Sequence, residues 1–192
     1  MRNVFTLYSS ARKNGNTFEM TQAFSNIVPS EVCYLDDLDV REYDYQHTNQ
    51  HDDFEMLIDK MLAADIIIFA SPVYWYSMTP AFKRFFDRFT DLTELIHLKA
   101  KGKALRKKSF YLFLTSVHDQ PPKAFVNVVK DTFNYFKWQY AGLEHVKCES
   151  GFDHDKACEQ LELMAVGLFS TSTEASLQTV LGEQSRSLSK FK

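Results

Sequence analysis

Apolar residues fall in two kinds of run along the chain. Asn3–Tyr8, Ile66–Ala70 and Ser109–Thr115 are short and apolar without polar alternation, and turn or polar residues bound each of them. Parallel strands covered by helices on both faces have this character, because neither side meets water. Glu31–Leu35 and Leu143–Cys148 are weaker candidates that would bring the sheet to five strands. Between these runs the period changes. Phe54, Leu57, Ile58, Met61 and Leu62 mark one buried helical face, with Asp52 or Asp53 available as the N-cap. Phe82, Phe85, Phe86 and Phe89 repeat the pattern behind Thr79-Pro80, a capping residue followed by proline at the first helical position. Phe125, Val128, Val129, Phe133 and Phe136 form a third stripe, and Ala157, Leu161, Met164 and Leu168 a fourth. A first helix should begin near Thr17 and bury Met20, Phe24 and Ile27.

Strands alternating with helices predict right-handed crossovers and an α/β doubly wound five-stranded parallel sheet with helices on both faces, for which the order 2-1-3-4-5 is expected. The segment Asp36–His51 reads as a long polar loop, and Lys99–Lys108 as a solvated basic connection before a strand. Residues 1–169 are expected to form one domain, followed by a polar tail over 170–192, rich in Ser and Thr, that is either a weak helix or partly disordered.

Composition narrows the function. The chain has 192 residues, 45% of them hydrophobic and 24% charged, which suits a single globular domain. A formal net charge of -3 gives no basic face for nucleic acid. No stretch is long and apolar enough to suggest a membrane span or a leader, so a cytoplasmic protein is expected. Cys33, Cys148 and Cys158 are widely spaced and odd in number, which suits a reducing compartment better than a disulfide framework.

In a parallel sheet of this kind ligands bind at the carboxyl ends of the strands, where the strand order reverses. After strand 1 comes Ser9-Ser10-Ala11-Arg12-Lys13-Asn14-Gly15-Asn16-Thr17. Small donors, two cations and a helix N-terminus together suit a phosphate monoester, although Asn16 and Thr17 could simply cap the helix. After strand 3 comes Ser71-Pro72-Val73-Tyr74-Trp75-Tyr76-Ser77-Met78-Thr79-Pro80. Three adjacent aromatics cannot all enter one core, so some of them serve a partner or stack on a planar ligand such as a flavin. A third loop, Thr115-Ser116-Val117-His118, should complete the pocket. His47 and His51 beside Asp52 and Asp53 invite a metal reading, but that stretch lacks helical periodicity and no metal is expected.

The two segments S-S-A-R-K-N-G-N-T and S-P-V-Y-W-Y-S-M-T-P-A-F-K-R-F-F-D-R resemble the NAD(P)H-dependent FMN reductase family of flavodoxin-like proteins. The resemblance covers the first half of the chain well and the second half only in element order. It implies FMN as cofactor, with Ser10, Arg12, Asn16 and Thr17 at its phosphate and Pro72, Val73, Tyr74 and Trp75 beside the ribityl chain and ring. Tyr76, Thr115, Ser116 and His118 complete the implied site. NADPH or NADH would be the electron donor, a small molecule such as a quinone, nitro compound, azo compound or free flavin the acceptor, and a homodimer or homotetramer the assembly. The chain departs from relatives at Ser9, where they often have glycine, and at Ala11, where serine or proline is common. It also lacks the cysteine cluster of iron-sulfur relatives after strand 2, which argues against an iron-sulfur centre. A flavodoxin-like electron carrier or flavin-binding regulator stays open as the alternative.

Overall fold

The computed structural model describes residues 2–49 and 51–168. Five strands, β1 (Val4–Tyr8), β2 (Ser30–Tyr34), β3 (Ile66–Pro72), β4 (Ser109–Ser116) and β5 (Gln139–Lys147), pair in the order β2-β1-β3-β4-β5. All four pairings are parallel. The helices are α1 (Asn16–Ile27), α2 (Phe54–Ala63), α3 (Pro80–Asp87), α4 (Asp91–Glu94), α5 (Ile96–Ala104) and α6 (Lys123–Phe136). A last helical run, α7, covers 154–168. The expected tail over 170–192 lies outside the described residues.

Side chains along the central strands alternate between two cores, as the two-residue period of a strand requires. Val4, Ile66 and Ile68 point to the face covered by α1 and α7, where they meet Met20, Phe24, Ala157 and Leu161. Phe5, Leu7, Ile67 and Phe69 point to the face covered by α2, α3 and α6. Thr79 caps α3 as its sequence predicts, its side chain accepting from the Phe82 N–H at 3.3 Å, with Pro80 at the first position. Asp53 stands at the N-cap of α2 without a side-chain cap; instead Asp52 Oδ1 accepts from the Phe54 N–H at 3.1 Å.

Two segments differ from expectation. The basic connection is mostly helical, because α5 runs to Ala104 and a 3-10 turn follows at Leu105–Lys107. Its anchors, Leu98 and Leu105, are too few and too scattered to register as a stripe among the lysines. β5 begins four residues earlier than its apolar part, at Gln139. Only partial burial accompanies this edge strand, so its amphipathic first half carries no long apolar run.

The long loop after β2 is held from within. Arg88, 2% exposed, donates from Nε to Asp91 Oδ2 at 2.6 Å and pairs with Asp52 through one terminal nitrogen. The same guanidinium donates to the carbonyls of Arg41 at 3.2 Å and Asn49 at 3.0 Å. Burial works against its charge, but the hydrogen bonds and charges of Asp52 and Asp91 outweigh that and hold its pKa above the usual value. His47, the histidine considered as a metal ligand, lies with Nδ1 2.8 Å from Asp91 Oδ1. Among the described residues no group of three or more His, Cys, Asp or Glu side chains is placed to hold a metal ion. No helix among them is long and apolar enough to cross a membrane.

Candidate functional site

The carboxyl ends of β1, β3 and β4 bring three loops together, and short-range bonds fix them to one another. Val73 N–H donates to the Thr115 carbonyl at 2.9 Å and Ser9 N–H to the Ala70 carbonyl at 3.0 Å, so the ladder continues past the strands. Buried hydroxyls link the loops laterally: Ser9 Oγ lies 2.5 Å from Thr79 Oγ1, and Thr17 Oγ1 lies 2.8 Å from Thr115 Oγ1. Ser9, the departure from the glycine of relatives, thus has a partner of its own in the cap of α3.

A cavity of about 190 Å³ opens between these loops. Ten of the twelve residues expected from the sequence line it: Ser10, Arg12, Asn16, Thr17, Pro72, Val73, Tyr74, Thr115, Ser116 and His118. Trp75 and Tyr76 do not. They form the tip of a hairpin turn in which Tyr74 and Ser77 exchange backbone hydrogen bonds of 2.9 and 3.0 Å. Both adopt left-handed backbone angles, with φ of 47° and 65°, which is the geometry of a type I′ turn. Glycine and asparagine take that geometry far more readily than aromatic residues, so the turn carries strain. Trp75 is 94% exposed. Tyr76 instead turns back over the site and stacks on His118, with ring centroids 5.6 Å apart and planes 17° from parallel.

One end of the cavity suits an anion. No side chain caps α1, whose N-cap is Gly15, and the first intrahelical bond is made by the Glu19 N–H to the Gly15 carbonyl. The N–H groups of Asn16, Thr17 and Phe18 are therefore available at the positive end of the helix dipole. Arg12 adds a cation at the same place. Lys13, the other cation of the loop, pairs with Asp37. Pro72, Val73, Tyr74 and Val117 add apolar surface to the same lining. An orphaned set of amides beside an apolar slot fits a molecule with a phosphate at one end and a planar ring at the other.

Gly15 and Val117, which belong to the expected loops without having been singled out, also line the cavity, and so does Cys148, which was not anticipated from the sequence. Cys148 arrives from beyond β5, where its N–H donates to the Ser116 carbonyl at 2.7 Å. Burial pushes its thiol up to about 11. His145, on β5, lies with Nε2 2.8 Å from Ser116 Oγ, while the His118 N–H donates to the same oxygen at 3.1 Å. Burial, and secondarily the charge of His118, lowers the pKa of His145. No local motif marks either residue, because only the β4–β5 register brings them to the site.

Comparison with known proteins agrees with this geometry. A family profile described as NADPH-dependent FMN reductase matches residues 2–151. The Bacillus subtilis protein YwqN, which carries the name of an NAD(P)H-dependent FMN-containing oxidoreductase, is 27% identical over 93 residues. That match takes in 45% of this chain and 51% of the relative, so the chain spans about half the length of the curated relative it matches. Among solved structures, an NAD(P)H:quinone oxidoreductase from Methanothermobacter marburgensis superposes with a TM-score of 0.67 at 12% identity, over 88% of this chain and 96% of that one. The Trp repressor binding protein from Bacillus subtilis gives 0.66 at 18% identity, over 83% and 95%. At such identities these superpositions establish the flavodoxin-like fold alone.

Proposed function

Because the chain belongs to the NADPH-dependent FMN reductase family, we propose that it is an oxidoreductase that holds FMN in the cavity between its three loops and passes two reducing equivalents from NAD(P)H to a small acceptor. The observation that carries the reading is the uncapped N-terminus of α1 facing the same cavity as the apolar slot of Pro72, Val73 and Tyr74. Bound in this cavity, FMN would supply the chemistry of accepting hydride from a reduced nicotinamide and returning it to the acceptor.

The protein's part is binding, orientation and exclusion of water. Asn16 and Thr17, through the first-turn amides, and Ser10 and Arg12, through their side chains, hold the phosphate. Pro72, Val73 and Tyr74, which line the cavity, would lie along the ribityl chain and ring. Thr115 and Ser116 meet the polar edge of the ring, and Ser116 Oγ keeps a fixed orientation through His145 and the His118 N–H. His118 lines the cavity with Tyr76 stacked on it, and an aromatic substrate could stack there against the exposed ring face. No side chain acts as a nucleophile. Overall, NAD(P)H, a proton and the acceptor yield NAD(P)⁺ and the two-electron-reduced acceptor.

One mouth serves donor and acceptor in turn, so ping-pong kinetics are expected with a quinone, nitro, azo or free-flavin acceptor. The test is direct. The purified protein, saturated with FMN, is mixed with NADPH or NADH without air while its visible spectrum is recorded. Bleaching that reverses when a quinone is added supports the assignment. A yellow protein that neither nucleotide bleaches would instead favour an electron carrier, and failure to bind FMN would exclude both. Assembly as a homodimer or homotetramer belongs to the same proposal, since a neighbouring copy could cover the exposed turn at Trp75; light scattering of the holoprotein checks it.

A further inference from the structure

The loop that should receive a phosphate is already partly occupied by groups of this chain. Ser10 N–H donates to Asp36 Oδ2 at 3.2 Å, and Ala11 N–H donates to the hydroxyl of Tyr74 at 3.1 Å. These are the second and third amides of the loop, the first, that of Ser9, being bonded to the Ala70 carbonyl. The charge beside them is balanced as well: Arg12 and Lys13 bring two cations, Asp36 and Asp37 two carboxylates, and Lys13 is spent on Asp37. We propose that Asp36 is an affinity-limiting residue, a built-in anion that competes with the FMN phosphate for this loop and keeps the cofactor exchangeable. The proposal rests on the flavin reading above.

Asp36 is held in place. It sits in the 3-10 turn Leu35–Asp37 that follows directly on β2. Immediately before it, Tyr34 donates its hydroxyl proton to the Ser10 carbonyl at 2.5 Å and stacks on Tyr8 with ring centroids 4.8 Å apart. The turn is thus bolted to the underside of the loop whose amide Asp36 accepts. Its field is felt there: the Tyr34 phenol is pushed up by burial first and then by Asp36 and Asp37, and the Tyr8 phenol reaches about 12 through burial, Tyr34, Asp37 and Asp36. A phosphate held by the Ser10 hydroxyl, Arg12 and the first-turn amides of α1 would lie beside this carboxylate, which already takes the Ser10 N–H. Asp36 is solvent-exposed, so the repulsion is screened and its scale is a few-fold in affinity, not orders of magnitude. Riboflavin, which has no phosphate, would not feel it.

The experiment is flavin titration of the full chain followed by fluorescence quenching, comparing wild type with Asp36→Asn. The expected result is a Kd for FMN lower by about fivefold in D36N, with the Kd for riboflavin unchanged within about twofold, and a difference that shrinks as salt is raised. Asp39→Asn serves as the control for net charge, since Asp39 lies on the same loop but its carboxylate pairs with Arg41; its FMN affinity should match wild type. An unchanged or weaker FMN affinity in D36N overturns the proposal while leaving the flavin reading intact. Equal tightening for riboflavin, or equal tightening in D39N, also overturns it. A wild-type protein that binds no FMN overturns both, and an unaltered thermal midpoint in D36N shows that the variant is folded.

Discussion

Helix α3 joins two regions fixed by opposite means. Along its length Phe82, Phe85 and Phe86 pack with Phe69, Phe110, Phe133 and Trp138 in a chain of ring contacts, among them Phe110 stacked on Trp138 with centroids 4.9 Å apart. Just past its end, Arg88 holds the loop after β2 through two carboxylates and two backbone carbonyls. The first region is held by area and volume, which many side chains can supply in part. The second depends on one residue that satisfies four acceptors at once. Apolar packing degrades gradually, whereas a buried ionic cluster fails when one member is lost.

Substitution at Arg88 is the sharpest way to expose that difference. Arg88→Met removes the guanidinium from between buried Asp52 and Asp91, leaving Asp52 with backbone donors and Asp91 with His47, and it should lower the unfolding free energy in urea by about 4 kcal/mol. Arg88→Lys keeps the charge but offers a point donor where a planar fork serves several acceptors, so a loss of about 2 kcal/mol is expected. In the aromatic region Phe69→Ala should cost about 3 kcal/mol, yet the milder Phe69→Leu only about 1 kcal/mol. If Arg88→Lys proved as harmless as Phe69→Leu, the contrast between the two regions would collapse.

The same contrast decided what could be read from the chain. The phenylalanine stripe from Phe82 to Phe89 has helical spacing and sits behind Thr79-Pro80, so both the element and its buried face were evident. The strand runs at Val4–Tyr8, Ile66–Pro72 and Ser109–Ser116 were equally plain because both their faces are covered. Ten of the residues that line the cavity were named beforehand, because topology brings those loops together and the family resemblance points to positions within them. Arg88 was invisible: it follows the stripe as one more charged residue, and its partners at Arg41, Asn49 and Asp52 lie far back in a loop with no period. Asp36 and His145 were missed for a related reason. Each reaches the site through strand register, and a local pattern carries no information about which neighbour a strand will take.

The turn at Trp75 and Tyr76 extends the comparison to a segment held mainly by its own backbone hydrogen bonds and by the stack of Tyr76 on His118. Two bulky residues with positive φ are there at a cost in stability. Replacing them together, Trp75→Asn with Tyr76→Gly, supplies the residues that a type I′ turn favours and should raise stability by about 1 kcal/mol. The same change removes the aromatic tip and the stack on His118. Affinity for an aromatic acceptor should then fall by a few-fold while thermal stability rises, which steady-state KM values and a melting curve would reveal side by side. A fall in both would mean that the turn is a structural plug.

Cys148 offers the smallest and most local effect. It lines the cavity, yet it is buried and its thiol is pushed up to about 11 by that burial. Only the thiolate attacks a disulfide reagent, so at pH 8 very little of the residue is reactive. Labelling of the native protein at Cys148, located by mass spectrometry, should lag behind the partly exposed Cys158 and accelerate as pH approaches 11. The unfolded chain gives up this proton near the ordinary thiol pKa, about 8.5. Between that value and 11 the native state therefore binds more protons than the unfolded one, and stability declines as pH rises through the window. FMN should slow labelling at Cys148 further and leave Cys158 unaffected, because only the former faces the cavity. Protection of both cysteines to the same degree would place the flavin's effect in global stability and not at the loops.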